Sequence, residues 1–259
     1  MLAEMKKGYI TEIFSSFQGE GPLAGRRQLF IRFAGCPLSC FYCDTSYARN
    51  FRQKFCTVLF HGKKARIKRN PLSTDEVMDY VRELLTPDVH SICYTGGEPL
   101  SSAAFVKEIA AEAKMMPLKN FLETSGNSAR AFASLADYFD FASIDIKLRT
   151  HRAVEEKDYD KLYSNELECI RIAVRRGIET VAKVIVIKNT PVGEIEGICK
   201  DLAGLEIKFV LQPVTAPAHL QSADIVPSIK ELFALSEVAG LYLHHVMIIP
   251  QLHKFLGIH

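Results

Sequence analysis

The chain has 259 residues, 48% of them hydrophobic and 24% charged, which suits one large α/β domain or two small ones and is enough to bury a real core. Its net charge of +2 is too small to argue for a nucleic-acid or membrane partner. Residues 1–9 lack the apolar stretch of a secretory leader. No apolar run approaches the roughly 20 residues of a membrane span, so a cytoplasmic protein is expected.

In chain order, the first predicted strand is 28–33. The next segment, 49–69, carries Arg49, Arg52, Lys54, Lys63, Lys64, Arg66, Lys68 and Arg69 and no acid. Residues 55–60 are β-rich, and His61-Gly62-Lys63 is suited to a hairpin turn. This segment reads either as a solvated insertion or as a docking surface for an acidic electron donor or a nucleotide. Ser73-Thr74-Asp75-Glu76 is a capping box that opens a helix through Leu85. Strand and helix then alternate: strand 90–94, helix 102–116, strand 120–124, helix 128–138, strand 139–147 and helix 158–176. The pattern continues with strand 181–187, helix 192–203, strand 207–212, helix 226–239 and strand 241–249.

Such alternation implies parallel strands joined by helical crossovers. Six or seven βα units are fewer than the eight of a closed barrel, and no glycine-rich dinucleotide fingerprint is present. An open or partial barrel is therefore expected, with its chemistry at the C-terminal strand ends. Polar residues gather at those ends: Cys36 after one strand, Thr95-Gly96-Gly97-Glu98 after another, then Glu123-Thr124-Ser125, Asp145 with Lys147, and Gln212.

There are seven cysteines. An odd number in a cytosolic chain argues against a disulfide framework. Cys56, Cys93, Cys169 and Cys199 are scattered and read as small buried hydrophobes. The other three form Cys36-Pro37-Leu38-Ser39-Cys40-Phe41-Tyr42-Cys43, a C-x3-C-x2-C run. Thiols this close bind soft metals. A structural zinc site wants four ligands, and no second pair follows. Three cysteines without a fourth suggest a 4Fe–4S cubane with one iron open, on a loop that Gly35 and Pro37 keep irregular. A zinc knuckle borrowing a distant ligand is the alternative, and with it a non-catalytic role.

The C-x3-C-x2-C run with Tyr42 before its last cysteine resembles the signature of the radical S-adenosylmethionine (SAM) superfamily, and Thr95-Gly96-Gly97-Glu98-Pro99 resembles its GGEP motif. The resemblance implies a partial (β/α)6 barrel and SAM chelated on the open iron of the cubane. Reductive cleavage of SAM would then yield a hydrogen-abstracting radical. The segment Glu12-Ile13-Phe14-Ser15-Ser16-Phe17-Gln18-Gly19-Glu20-Gly21-Pro22 is more specific. With Arg32, Cys43-Asp44-Thr45, Glu123-Thr124-Ser125-Gly126, Asp145-Ile146-Lys147, Leu211-Gln212-Pro213 and Pro250-Gln251-Leu252-His253-Lys254, it resembles the 7-carboxy-7-deazaguanine synthases. The likeness runs from Tyr9 to near the C-terminus as a single radical SAM domain over 1–259, with an insertion at about 49–70.

That resemblance implies conversion of 6-carboxy-5,6,7,8-tetrahydropterin to 7-carboxy-7-deazaguanine with loss of ammonia, on the way to queuosine or archaeosine. It implies a 4Fe–4S cluster on Cys36, Cys40 and Cys43, SAM regenerated in each cycle, and Mg2+ on Thr45. It also implies a flavodoxin- or ferredoxin-like electron donor and a homodimer. Tyr42, Asp44, Gly97, Glu98, Ser125, Asp145 and Lys147 are expected to contact SAM. Phe17, Gln18, Gly19, Glu20, Arg32, Thr95, Gln212, His253 and His259 are expected to contact substrate. Arg32 suits a carboxylate because a guanidinium is a bidentate fork, but it also suits a structural ion pair. A lone hydroxyl such as Thr45 is a weak magnesium site that substrate and water must complete. A radical SAM activase acting on a partner protein shares the cluster run, but it leaves the Gln18 to Glu20 segment and the 250–254 tail unexplained.

Overall fold

The computed structural model describes residues 6–62, 64–216 and 224–258. In chain order the elements are β1 (Lys7–Gly8), β2 (Ile10–Phe17), β3 (Arg27–Phe33), β4 (Phe55–Leu59), β5 (Arg66–Arg69), β6 (Leu72–Ser73), α1 (Thr74–Leu84), β7 (Ser91–Gly96), α2 (Ala103–Ala113) and β8 (Lys119–Thr124). They continue with α3 (Ala129–Leu135), β9 (Phe141–Ile146), α4 (Tyr159–Arg175), β10 (Glu179–Val186), α5 (Val192–Leu202), β11 (Lys208–Pro213), α6 (Ile229–Gly240), β12 (Val246–Ile248) and α7 (Leu252–Leu256).

One ten-stranded sheet has the order β12-β11-β10-β9-β8-β7-β3-β2-β4-β5. From β12 to β3 every neighbouring pair is parallel, and six helices connect these strands in turn. This is the expected partial barrel, open because its end strands β12 and β5 pair with nothing on their outer side among the described residues. The sheet curls strongly. If flat, it would hold β10 and β3 about 19 Å apart, four strand spacings. Yet Lys183 on β10 bonds Glu20 in the β2–β3 connection at 2.5 Å, and Leu252, beyond β12, donates its amide to Gly19 O at 2.8 Å.

Strand periodicity decides what faces the helices and what faces the barrel interior. On β3, Leu29, Ile31 and Phe33 join the main core beneath the helices, while Gln28, Phe30 and Arg32 point the other way. On β10, Ala182, Val184 and Val186 face that core, and Lys183 and Ile185 face the cleft. The floor of the interior is aromatic: Phe14, Phe30, Cys93 and Phe121 cluster there, with the Phe14 and Phe30 rings stacked 4.9 Å apart. Above this floor the interior turns polar.

Helix α1 opens with the expected capping box: Glu76 N donates to Ser73 Oγ at 3.3 Å and Ser73 N to Glu76 Oε2 at 2.9 Å. The four scattered cysteines are buried, and all seven are free thiols. No helix among the described residues is long and apolar enough to cross a membrane.

Three expectations are corrected. Strand β2 was not foreseen, because Ile10, Thr11, Glu12, Ile13 and Phe14 are all buried and show no alternation. The insertion is less solvated than expected, because its hairpin extends the main sheet. β4 pairs parallel with β2 and buries Cys56 and Val58, and β5 pairs antiparallel with β4. Arg66 finds its acid in α1, at Glu83 Oε2 2.6 Å away, and lies over the Phe60 ring. Lys63 lies outside the described residues. Finally, the last strand is only Val246–Ile248 rather than 241–249, and α7 follows it.

Candidate active site

The three-cysteine loop leaves β3 at Gly35. That residue has φ +93, and an added Cβ would stand 2.3 Å from the Phe51 ring, so glycine is required by both conformation and space. Gly35 N donates to Ala48 O at 2.7 Å and Cys36 N to Arg49 O at 3.3 Å, which folds the loop onto the turn Ser46–Arg49. From the other side Ser39 N donates to Ala153 O at 2.8 Å. Cys36, Cys40 and Cys43 all line one cleft at the C-terminal ends of the parallel strands. Burial pushes the Cys36 thiol up to about 11. A thiol held protonated in this way is a poor nucleophile.

Tyr42 is buried beneath this loop. Its hydroxyl donates to His151 Nδ1 at 3.1 Å, and Leu148 N donates to the same nitrogen at 3.0 Å. His151 Nε2 therefore carries the proton, donated to Ile185 O at 2.9 Å. Burial, then the nearby Lys147 ammonium, hold His151 down at about 3. It is a neutral, fixed post under Tyr42.

Backbone packs on backbone at the end of β7. A Cβ on Gly96 would stand 2.4 Å from Phe33 N, and one on Gly97 would stand 2.3 Å from Gly35 O and 2.9 Å from Ala48 O. The two glycines let this turn seat against the cluster loop, with Gly97 N on Phe33 O at 2.9 Å and Glu98 N on Gly35 O at 2.8 Å.

The far wall is a buried charge network. Lys183 Nζ lies 2.5 Å from Glu20 Oε2 and 3.1 Å from Asp145 Oδ1, and Lys147 Nζ lies 3.1 Å from Asp145 Oδ2. Glu20 also accepts from Gln251 Nε2 at 2.8 Å. Burial alone would raise the Glu20 carboxyl, but the Lys183 ammonium outweighs it and holds the group at about 2. Glu123 is shifted the other way: burial, and the like charge of Glu20, raise it despite Lys183. On the near side Arg32 Nε is 2.5 Å from Glu12 Oε1, which also accepts the Tyr47 hydroxyl at 2.7 Å.

These donors suit an iron–sulfur cluster with a polar ligand beside it. Gln212 is 1% exposed, lines the cleft, and its Oε1 has no protein partner. A buried acceptor without a donor is costly, so it marks a place for a ligand N–H or O–H.

Residues 30–202 match the radical SAM superfamily. A 7-carboxy-7-deazaguanine synthase of Methanocaldococcus jannaschii is 37% identical over 251 residues, covering 96% of this chain and 99% of the relative. The chain belongs to the 7-carboxy-7-deazaguanine synthase family. A synthase of Geobacter sulfurreducens is 33% identical, with 96% of each chain covered. The crystal structure of QueE from Escherichia coli shares the fold, with a TM-score of 0.59 and 19% identity over 93% of each chain. These relatives favour a synthase over an activase.

Within this synthase-family cleft the structure gathers most of the expected residues. Phe17, Gly19, Thr95, Gly97, Ser125, Asp145, Lys147, Tyr42, Asp44 and Thr45 all line it. Glu98 does not. It is buried behind the wall, where its carboxylate accepts from Leu100 N (2.8 Å), Thr124 Oγ1 (2.6 Å), Ser125 N (2.8 Å) and the Ser125 hydroxyl. There it holds the strand-end loops in place. Gln18 lines the cleft, but its amide serves the protein. Nε2 donates to Gln28 Oε1 and to Glu123 Oε1, each at 2.9 Å, and Oε1 accepts from Glu20 N at 3.0 Å. Arg32 carries the ion pair that the sequence left as its alternative role.

Thr45 precedes the Ser46–Arg49 turn, yet its side chain makes no cap bond. Its hydroxyl lies 3.6 Å from Cys43 Sγ. Asp44 pairs with Lys254 Nζ at 2.9 Å, so the tail closes on the cluster loop. His253 packs on Gly19, where a Cβ would stand 1.9 Å from its Nδ1. His259 lies outside the described residues. Sequence reasoning missed Lys183, Glu12, Tyr47, Gln251 and His151. Lys183 had a signal: it is a lone cation in an otherwise apolar buried strand.

Proposed function

We propose that the chain converts 6-carboxy-5,6,7,8-tetrahydropterin to 7-carboxy-7-deazaguanine with release of ammonia, in 7-deazapurine biosynthesis. One observation carries this reading: a single cleft joins the three-cysteine loop to Arg32, Gln212 and the Glu20–Lys183–Asp145 network. When bound, the cluster and SAM supply the radical that abstracts hydrogen, and the chain's own residues bind, orient and exclude water.

In this reading Cys36, Cys40 and Cys43 hold the cluster. Tyr42, Gly97, Ser125, Asp145 and Lys147 form the SAM side. Arg32 meets the pterin carboxylate, with Glu12 and Tyr47 fixing its guanidinium. Gln212 Oε1 accepts from the aminopyrimidinone edge, and Thr95, Phe17 and His253 border the same side. Gln18 and Gly19 shape the turn, and the Glu20 carboxylate presents its charge toward the ring's donors. Thr45, with the substrate carboxylate and water, is the Mg2+ site.

A flavodoxin- or ferredoxin-like protein supplies the electron, with the basic β4–β5 hairpin as its docking face. We place the protein in the cytoplasm as a homodimer. The decisive experiment incubates reduced, cluster-replete protein with SAM, Mg2+ and the carboxytetrahydropterin and follows 7-carboxy-7-deazaguanine by mass spectrometry. No product from such a sample would sink the substrate assignment and leave the superfamily untouched.

A further inference from the structure

Arg49 touches the cluster loop twice. Its carbonyl accepts the Cys36 amide at 3.3 Å, and its Nη2 donates to Cys40 O at 2.5 Å. Backbone and guanidinium of Arg49 thus hold the two ends of the C-x3-C segment, the guanidinium at the Cys40 end. It also lines the cleft, and its Nε is buried with no hydrogen-bond partner. A guanidinium N–H deprived of both water and a protein acceptor is costly, so this donor points to an acceptor that arrives with the ligands.

We propose that Arg49 is the tuning cation of the cluster loop, its Nε–H donating to an anionic acceptor of the assembled site, either a cluster sulfur or the carboxylate of SAM. A cation and N–H donor beside an iron–sulfur cluster stabilises the extra negative charge of the reduced state and so raises its potential. On the SAM carboxylate the same group would add affinity. Arg49 then does what the other described cations of the 49–69 segment do not, because among the described residues it alone of them lines the cleft. The inference rests on the cluster assignment and is independent of the pterin.

The test uses reconstituted wild-type protein, Arg49→Gln and Arg49→Lys. A mediated redox titration without SAM, read by EPR, reports on the sulfur. SAM titrated against the reduced EPR signal reports on the carboxylate. A more negative midpoint in Arg49→Gln assigns the donor to the cluster. An unchanged midpoint with SAM affinity weakened about tenfold or more, the loss of one charge-assisted bond, assigns it to SAM. If the glutamine variant fails to load, Arg49→Lys carries both measurements, since it keeps the charge and loses the Nε donor. Midpoint and SAM affinity equal to wild type in both variants would overturn the proposal. Iron and sulfide analysis of the wild type tests the cluster assignment separately.

Discussion

Lys183 and Glu20 lie 163 residues apart in sequence and form a 2.5 Å ion pair inside the barrel. The pair links β10 to the β2–β3 connection, and Asp145, 3.1 Å from the same ammonium, extends it toward the cluster side. Lys183→Met would strand Glu20 and Asp145 without their shared cation. Removing one partner of a buried pair costs about 3–5 kcal/mol, and urea denaturation should show a loss of that size. Lys183→Met combined with Glu20→Gln should lose less than the sum of the single variants.

The same pair sets a pH dependence. The Glu20 carboxyl falls from its ordinary 4.5 to about 2 in the fold. Its contribution is complete above pH 4.5 and is lost as pH falls through about 2. The denaturation midpoint should therefore decline across that window, and the decline should be shallower in Glu20→Gln. Equal slopes would place the ion pair outside the acid transition.

Glu98 separates a positioning role from direct SAM contact. Glu98→Ala leaves Leu100 N, Ser125 N and two hydroxyls without their acceptor, and each buried unsatisfied group costs about 1–3 kcal/mol. A thermal melt should show a large loss of stability. Glu98→Gln keeps part of the acceptor set and should bind SAM within a few fold of wild type. Abolished SAM binding in a well-folded Glu98→Gln would restore Glu98 to the SAM side.

Gly19→Ala should act first on substrate. The added methyl would meet His253 Nδ1 at 1.9 Å, and His253 sits on the tail, away from the cysteines in sequence. The expected result is a raised KM for the pterin with unchanged iron content and EPR signal. Altered cluster loading would show that strain at His253 reaches the cluster loop through Lys254 and Asp44.

His151→Phe removes the acceptor shared by Tyr42 and Leu148 and the donor to Ile185 O. The phenyl strands three polar groups, each worth about 1–3 kcal/mol. Stability should drop, and the EPR signal with SAM bound should broaden as Tyr42 loosens beside the cluster. A sharp wild-type signal would reduce His151 to a core residue.

Much of this was legible before the chain was folded. Alternating strands and helices follow from periodicity and local caps such as Ser73 with Glu76, so the partial barrel and most element limits could be read directly. Cys36, Cys40 and Cys43 fall within eight residues on one loop, so their spacing alone exposes the metal chemistry. Strand β2 escaped because it is buried on both faces, which erases the period of two. The carboxylate partners of Glu98 were not legible because a motif names a residue and says nothing of where its side chain turns.

The sequence by itself determined the local matters: the fold class, the cluster run, and the strand ends that carry polar residues. Tertiary structure alone decided which distant groups meet there. Gln251 reaches Asp44 over 207 positions, and Lys183 meets Glu20 only because the sheet curls. Pairings of this kind depend on strand order and curvature. These emerge from packing the whole barrel, so no window of the chain can display them.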